Sequence, residues 1–407
     1  DGTVVNLTVN GVKLENVPVF IQPGQAEGSV GLALGYGKKD SGKVAETGVN
    51  AYPLFDGYNT VVSNVSIEKS GADDHEFAGV QLQNTLMGRY EIAKEVTLDT
   101  YLNEDVNKWN KPLTMETLQG TLPMGKVDLW DAFDDTDGPH FNLSVDLNSC
   151  IGCGACIIAC QAENNVPVVG KEEVRMSRDM AWLRIDRYYS AKEKIEVKEG
   201  LDKGLNVPNL YDILIEPNES PDVIFQPVMC QHCNHAPCET VCPVAATSHG
   251  KQGQNQMAYN RCIGTRYCAN NCPYKVRRFN WFQYDSLNIP AFPDFAKVNA
   301  AQDDLGRMVL NPDVVVRSRG VMEKCSMCVQ RIQGGKLEAK KNGEKVQDGA
   351  IQTACSSACP TNAISFGDLN DPQHTINKEK EQERAYFLLE EVGAQPNVYY
   401  QTKVRNV

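Results

Sequence analysis

The sequence has no apolar run of the roughly 18 to 20 residues that a membrane-spanning helix needs, because charged or turn residues interrupt every candidate. It also has no excess of basic residues, since its 407 residues carry a formal net charge of −12. Phosphate binding needs a basic face, so this balance argues against nucleic acid as a partner. If the protein works at a membrane, another subunit must supply the span.

The usual marks of a catalytic centre are also missing. The sequence contains no P-loop, no nucleophile motif and no paired acid and base that would face a substrate. It begins at Asp1 rather than at a methionine and runs directly into strand-like sequence. We therefore expect no catalytic residue in this chain, and we expect the true start, with any targeting signal, to lie upstream.

Cysteine is absent from the first 149 residues, whereas all fifteen cysteines lie between Cys150 and Cys359. An odd number excludes a complete set of internal disulfides. We predict an α+β chain with a β-rich domain at residues 1–125, an acidic linker at 126–142 and a cluster-bearing domain at 143–407.

Local patterns support this division of the chain. Val5, Leu7 and Val9 alternate with polar residues and lead into Asn10 and Gly11, a hairpin turn signal. The linker is rich in acid and ends in a Gly-Pro pair, as a solvated connection does. Its acidic residues include Asp131, Asp134 and Asp135.

Three further elements are predicted beyond the linker. Leu143 and Val145 predict a short strand before the first cysteine, and residues 181–189 alternate as a strand does. Charged residues around an apolar centre predict an amphipathic helix over residues 378–392, which Gly393 closes.

The cysteines form four groups that largely repeat one scheme, in which a C-x2-C pair comes first and a C-x3-C pair ends the group. The first group has the spacing of bacterial ferredoxins, except that Gln161 replaces the usual proline. Within it, Gly152 and Gly154 are expected to let the loop fold close to inorganic sulfide. The first group is Cys150, Cys153, Cys156 and Cys160, the second is Cys230, Cys233, Cys238 and Cys242, and the fourth is Cys325, Cys328, Cys355 and Cys359.

The third group departs from the scheme at one position. It contains Cys262, Cys268 and Cys272, and Thr265 stands where the second cysteine is expected. A threonine hydroxyl is not deprotonated near neutral pH and binds iron poorly compared with a thiolate, so a four-iron cluster there would lose its unsupported iron. We therefore predict one [3Fe–4S] cluster at this group and three [4Fe–4S] clusters at the others, which together use all fifteen cysteines.

Zinc is the alternative metal, because C-x2-C pairs also occur in zinc sites and His232 and His235 lie inside the second group. Zinc sites would use cysteines in fours and leave three over, and they give no reason for the repeated C-x3-C ending. Iron–sulfur clusters are therefore favoured. The two histidines are expected to pack in the core or to hydrogen-bond a cluster sulfide rather than to bind metal.

Each cluster is expected to take ligands from two groups, because in ferredoxins the last cysteine of a group binds the partner cluster. Groups two and three are close in sequence and are expected to pair, which leaves groups one and four to pair across the chain. The domain at residues 143–407 is therefore expected to consist of two ferredoxin-like modules that lie side by side. The predicted sets for the four-iron clusters are Cys150, Cys153, Cys156 and Cys359, then Cys325, Cys328, Cys355 and Cys160, then Cys230, Cys233, Cys238 and Cys272. The predicted set for the three-iron cluster is Cys262, Cys268 and Cys242. Four clusters in one chain suit the relay of electrons over distance.

A basic and aromatic stretch, residues 275–281, follows the third group in an otherwise acidic protein. In one interpretation it sets the potential of the three-iron cluster or binds a membrane subunit. In the other it is a solvated or ion-paired turn whose Phe279 and Trp281 lie in the core.

The sequence around the cysteines resembles a known family. The segments Asn260 to Trp281, Asp146 to Cys150, Gln161 to Val169 and Val321 to Cys325 closely resemble the iron–sulfur part of the B subunit of alternative complex III. This match covers about residues 140–407. More broadly, the region looks like the four-cluster subunits of polysulfide, dimethyl sulfoxide and nitrate reductases. Residues 1–125, with Gly48 to Leu54, are similar to the end of a molybdopterin-oxidoreductase-like region that has lost its cofactor in this family, so the chain looks like the C-terminal portion of a longer subunit.

The resemblance implies a respiratory quinol:acceptor oxidoreductase complex, peripheral on the periplasmic face of the bacterial inner membrane. An integral membrane quinol-binding subunit would feed electrons to the three-iron cluster, and c-type cytochrome subunits would take them onward. No molybdenum cofactor is expected. The alternative is the electron-transfer part of a molybdenum-dependent reductase or dehydrogenase, which an upstream pterin-binding region with a metal-ligating cysteine or serine would favour.

Overall fold

The computed structural model describes residues 1–406 except 41–45, 56, 58–60, 82, 128–135, 194, 196 and 283–307. The predicted acidic residues Asp131, Asp134 and Asp135 therefore lie outside the described residues. None of the helices in the described ranges is both long and apolar enough to span a bilayer.

Short strands and short helices alternate along the chain. The strands are β1 (Val4–Val9), β2 (Val12–Pro18), β3 (Ser66–Lys69), β4 (Glu95–Thr97), β5 (Thr114–Thr117), β6 (Gly120–Pro123), β7 (Phe141–Asp146), β8 (Arg184–Tyr189), β9 (Val223–Val228), β10 (Thr247–His249), β11 (Asn255–Met257), β12 (Arg278–Phe279), β13 (Met322–Glu323), β14 (Ile364–Asp368), β15 (Ala385–Tyr386), β16 (Val398–Gln401) and β17 (Lys403–Arg405). The helices are α1 (Leu98–Asn103), α2 (Val106–Trp109), α3 (Ala155–Glu163), α4 (Lys171–Arg175), α5 (Val197–Asp202), α6 (Val207–Ile215), α7 (Pro237–Thr240), α8 (Tyr267–Asn270), α9 (Val329–Asn342), α10 (Ala354–Ser357) and α11 (Thr375–Lys380).

The first sheet is antiparallel, in the order β2-β1-β3. Val9 pairs with Val12 across Asn10 and Gly11, whose φ angles are 50° and 81°. A two-residue hairpin of this kind needs two positive φ angles, which Asn and Gly adopt with little strain. The predicted hairpin is therefore confirmed.

The central sheet of the cluster-bearing part has the order β14-β7-β16-β15, with β7 antiparallel to β14 and parallel to β16. Leu143 and Val145 are almost fully buried in β7, which confirms the strand predicted there. This strand begins at Phe141, inside the predicted linker. Phe141 belongs to the core because its ring stacks on Phe366 with centroids 5.3 Å apart.

Residues before the predicted linker also pack on the cluster-bearing part. The strand β4 pairs in parallel with β17, and the Thr85 hydroxyl donates to the Leu214 carbonyl at 2.6 Å. Leu86 and Ala93 share one apolar core with Phe141. The domain boundary at residue 125 stays a prediction, while these contacts reach back at least to Gln81, whose side-chain amide donates to the Arg187 carbonyl at 2.9 Å.

The strand predicted within residues 181–189 is confirmed from Arg184 onward, where β8 pairs with β9. The helix predicted over residues 378–392 is wrong. The helix α11 ends at Lys380, and Tyr386 pairs with Tyr400 in the central sheet. Burial of Tyr386 and Leu388 in the core outweighs the helical pattern of this segment.

A buried ion pair fixes the segment that leads into the fourth cysteine group. Arg317 donates to Glu323 at 2.8 Å, and their side chains are 1% and 0% exposed. Trp182 Nε1 and Asn280 Nδ2 donate to the same carboxylate at 3.2 and 3.0 Å. Because Arg317 also donates to the Asn164 carbonyl at 2.8 Å, the network joins the end of α3 to β13.

Replacing Glu323 with Ala leaves the Arg317 guanidinium buried without its counter-charge, so we expect a loss of about 3 to 5 kcal/mol of stability. The matched control is Glu338→Ala, because Glu338 pairs with Lys341 at 3.8 Å on the surface. Such an exposed pair contributes about 1 kcal/mol at most. Thermal unfolding of the metal-loaded chain measures both variants, and equal unfolding midpoints would show that the buried pair does not hold this segment.

Candidate metal centres

The first cysteine loop connects β7 to α3 through two glycines in the left-handed region. Gly152 has a φ of 69°, and Gly154, with a φ of 78°, stands at the start of α3. A Cβ atom at Gly152 would lie 2.5 Å from the Phe225 ring. This glycine therefore leaves room for the Phe225 ring, and the predicted closeness of the loop to inorganic sulfide stays a prediction.

Site one combines the first three cysteines of group one with the last cysteine of group four. Burial, followed by the charges of Cys355, Cys150, Cys153 and Cys359, raises the pKa of Cys156 to about 12. Burial also raises the pKa of Cys150, against a hydrogen bond from the main chain of Gly152, and Cys359 and Cys153 contribute to the rise. The chain thus brings Cys359 among thiols that precede it by about two hundred residues.

Site two combines Cys325, Cys328 and Cys355 of group four with Cys160 of group one. Burial raises the pKa of Cys160 well above its usual value, and the charges of Cys325, Cys355 and Cys328 raise it further. The side-chain amide of Asn164 lies 3.7 Å from the Sγ atoms of both Cys160 and Cys328. One buried amide group therefore donates to thiols from two different groups.

The last cysteines of groups two and four each accept the same kind of main-chain hydrogen bond at their sulfur. The N–H of Ala246 donates to the Sγ of Cys242 at 3.2 Å, and the N–H of Ala363 donates to the Sγ of Cys359 at 3.2 Å. In both cases the donor lies four residues after the cysteine, and a proline directly follows that cysteine. Proline cannot continue a helix in its usual hydrogen bonding, so the chain turns and this N–H reaches the sulfur.

Asn164 provides the corresponding hydrogen bond at the end of group one. Since Gln161 stands in place of proline, α3 continues, and the N–H of Asn164 donates to the Cys160 carbonyl at 3.1 Å. Its side chain then donates to the sulfur instead. The sequence interpretation did not identify Asn164, although the missing proline was the signal that pointed to it.

Site three combines the first three cysteines of group two with the last cysteine of group three. The four thiols line one small cavity together with Tyr274 and Arg277; they are Cys230, Cys233, Cys238 and Cys272. Burial raises the pKa of Cys233 well above its usual value, and the charges of Cys230, Cys272 and Cys238 add to the rise. A cavity ringed by four thiols from two groups suits a cluster that they would hold in common.

Site four contains Cys262, Cys268 and Cys242. Burial raises the pKa of Cys268 against the charge of Arg277, and the charges of Cys262 and Cys242 add to the rise. The N–H of Met322 donates to the Sγ of Cys262 at 3.4 Å. Thr265 is exposed on the same loop, where it offers a hydroxyl in place of a thiol.

The four sites adjoin one another in one order. Among the thiols that act on Cys156 of site one, the strongest is Cys355 of site two. Among those that act on Cys325 of site two, the strongest is Cys230 of site three. Arg277 interacts with thiols of both site three and site four. Site one therefore neighbours site two, site two neighbours site three, and Arg277 lies between sites three and four.

A site for one metal ion and a site for an iron–sulfur cluster need different arrangements of ligands. Within the described ranges, no group of three His, Cys, Asp or Glu side chains converges closely enough to hold one metal ion. A four-iron cluster makes a different demand, because each thiolate binds its own iron and the thiolates surround a core of iron and sulfide.

The two histidines of group two differ in their surroundings. His235 is half-buried, and its main-chain N–H donates to the Ala394 carbonyl at 3.1 Å. His232 is fully buried, and its Nδ1 accepts from the N–H of Asn255 at 3.1 Å. The ring proton of His232 therefore lies on Nε2, which has no acceptor among the described residues. A cluster sulfide would satisfy such a donor.

The sequence matches two family models, each described as a 4Fe-4S dicluster domain, one over residues 149–246 and the other over residues 221–286. It is 35% identical over 264 residues to the iron–sulfur cluster-binding subunit of menaquinone reductase from Nitratidesulfovibrio vulgaris, covering 64% of this chain and 88% of that subunit. It is 31% identical over 248 residues to iron–sulfur subunit 1 of the Hdr-like menaquinol oxidoreductase from Archaeoglobus fulgidus, covering 60% and 71%. It is 28% identical over 262 residues to the B subunit of selenate reductase from Mesobacillus selenatarsenatis, covering 64% and 71%.

Replacing Asn164 with Leu keeps the side-chain volume and removes the N–H donors to Cys160 and Cys328. Hydrogen bonds to the sulfurs raise the reduction potential of a cluster. We therefore expect the cluster potential at site two to fall by about 59 mV, which is a tenfold change in a one-electron equilibrium. Redox titration followed by electron paramagnetic resonance (EPR) measures the shift.

The control for this variant is Gln330→Leu, because Gln330 binds the carbonyl side of the Asn164 amide at 3.2 Å and leaves its N–H donors in place. We expect the control to keep the wild-type potential. An unchanged potential in Asn164→Leu would show that the amide does not act on the cluster.

Proposed function

This chain belongs to the family of iron–sulfur subunits of menaquinone reductases and related respiratory oxidoreductases, and we propose that it is the electron relay of a quinol-oxidising membrane complex. The observation that carries the proposal is the set of four adjoining thiol sites, each built from two cysteine groups. Redox centres that neighbour one another in this way suit the passage of single electrons through a protein.

In this proposal, sites one, two and three each hold a [4Fe–4S] cluster and site four holds a [3Fe–4S] cluster. The ligands of site one are Cys150, Cys153, Cys156 and Cys359, those of site two are Cys325, Cys328, Cys355 and Cys160, those of site three are Cys230, Cys233, Cys238 and Cys272, and those of site four are Cys262, Cys268 and Cys242. No molybdenum cofactor forms part of the relay.

When bound, the clusters supply one-electron transfer with little rearrangement. The protein contributes the thiolates, the N–H donors to sulfur and a buried setting. Of the proposed ligands, Cys153 alone is exposed. Burial limits the access of water and keeps the electrostatic effect of nearby side chains on each site strong.

Electrons would enter at site four and leave at site one. At site four, Ile263 and Tyr267 are 65% and 56% exposed beside Thr265, an apolar surface that suits an integral membrane quinol-binding subunit. At the other end, Cys153 and Ile151 are exposed, which suits electron transfer toward c-type cytochrome subunits. In this proposal the complex is of the alternative complex III type, and the subunit is peripheral on the periplasmic face of the bacterial inner membrane.

The second candidate is the electron-transfer part of a molybdenum-dependent reductase or dehydrogenase. The similarity to a selenate reductase component favours it. Molybdenum analysis of the intact complex separates the two, because stoichiometric molybdenum would support the second candidate and its absence the first.

Replacing Thr265 with Cys supplies the missing fourth thiolate, so we expect the three-iron EPR signal of site four to be replaced by a four-iron signal. The matched control is Thr265→Val, which has nearly the same shape and no thiolate and should keep the three-iron signal. Each 59 mV by which the potential of site four falls makes its reduction by quinol about tenfold less favourable at equilibrium. In the intact complex we therefore expect quinol to reduce cytochrome more slowly through Thr265→Cys.

Two outcomes would contradict the assignment. A three-iron signal that persists in Thr265→Cys would place that cluster elsewhere in the chain. Cytochrome reduction at the wild-type rate, in a variant whose signal has changed, would mean that site four does not lie on the electron path.

A further inference from the structure

Arg277 is a buried cation within the basic stretch of residues 275–281. Only 5% of the residue is exposed. Its guanidinium donates to the hydroxyl of Thr247, to the Sδ of Met257 at 3.4 Å and to the side-chain carbonyl of Asn255 at 3.5 Å. These acceptors are all neutral, and no described carboxylate lies within ion-pair distance of it.

The neighbouring basic residues have ordinary surface or paired roles. Arg278 pairs with Asp179 at 2.9 Å, and Lys275 is exposed and donates to the Asn270 carbonyl at 2.9 Å. The interpretation of this stretch as an ion-paired turn therefore fits Arg278. It does not account for Arg277.

Arg277 lies between two of the cysteine sites. It lines the small cavity of site three with that site's thiols. Its charge interacts with Cys238 of site three and with Cys268 of site four. One guanidinium is therefore shared by two neighbouring sites.

A second buried cation lies beside the first. Lys324 is 1% exposed, and its ammonium group donates to the main-chain carbonyls of Asn255 and Cys325. Glu239 is a half-buried carboxylate nearby, and it accepts from the side chain of Asn255. Two buried cations beside one carboxylate leave an excess of positive charge, which is unfavourable in a protein interior unless anions offset it.

The cluster assignment supplies those anions, since a cluster with its thiolates carries net negative charge and becomes more negative on reduction. A nearby cation stabilises the reduced state more than the oxidised state and so raises the reduction potential. A guanidinium stays protonated in proteins, so this effect is permanent.

We propose that the charge of Arg277 raises the reduction potentials of the clusters at sites three and four together. This inference rests on the cluster assignment proposed above. Because one charge acts on both sites, it raises both potentials while it changes the difference between them less. Electron transfer from site four to site three then keeps its driving force, and both clusters are easier to reduce.

Replacing Arg277 with Met removes the charge and keeps much of the apolar stem, whereas Arg277→Lys keeps the charge. Redox titration of the intact complex, followed by EPR, resolves the clusters. We expect Arg277→Met to shift the redox equilibria of sites three and four at least tenfold toward oxidation, which is about 59 mV for one electron. We expect Arg277→Lys to stay within about threefold of wild type. Unchanged equilibria in Arg277→Met, a shift at one site only, or equal shifts in both variants would each overturn the proposal.

A second pair of variants keeps Arg277 in place in case Arg277→Met fails to assemble its clusters. Met257→Glu sets a carboxylate against the guanidinium, and Met257→Gln is its neutral control. We expect Met257→Glu to shift the redox equilibria of sites three and four toward oxidation, as Arg277→Met does, and Met257→Gln to leave them unchanged. Equal shifts in Met257→Glu and Met257→Gln would overturn the proposal. Wild-type protein without cluster signals would instead contradict the proposed function, so the two failures are distinguishable.

Discussion

The fold of the cluster-bearing part depends on cysteines that lie among the thiols of a group distant in sequence. Cys359 lies with the thiols of group one, and Cys160 lies with those of group four. The pairing of β7 with β14 supports the same closure, since β7 leads into group one and β14 follows group four. The thiol sites and the sheet therefore require the same approach of two distant segments, and neither is complete without it.

Charge is the second constraint on this interior. The thiols are mostly buried, and burial raises the pKa of several of them because the charged form loses its hydration. Metal binding would offset that penalty, since a bound thiolate is deprotonated. Cations lie around the sites in two ways. Arg317 has a buried carboxylate partner and holds main-chain segments together, whereas Arg277 has no such partner among the described residues and faces the thiols.

Much of the site could be predicted from the sequence, because ligand spacing is a local property. The four groups, the exchange of last cysteines and the exceptional Thr265 depend on short intervals and on one rule of ferredoxin chemistry. The hairpin at Asn10 and Gly11 was predictable for the same reason, since its turn needs two residues that tolerate positive φ.

The rest depends on tertiary contacts that spacing does not encode. The helix predicted over residues 378–392 gives way to a strand because Tyr386 fits the central sheet. Asn164 reaches the sulfur of Cys160 because α3 continues past Cys160, which the cysteine spacing does not show. The spacing also does not show that none of the described carboxylates pairs with Arg277. Arg277 and Arg278 are identical in sequence character, and only their burial and partners separate them.

The central claim is that fifteen cysteines hold three four-iron clusters and one three-iron cluster in adjoining sites. The most direct measurement is metal analysis of the anaerobically purified protein together with EPR of its oxidised and reduced forms. The account predicts about fifteen irons per chain, little zinc and a three-iron signal in the oxidised state. Stoichiometric zinc, or four-iron signals without a three-iron signal, would contradict it.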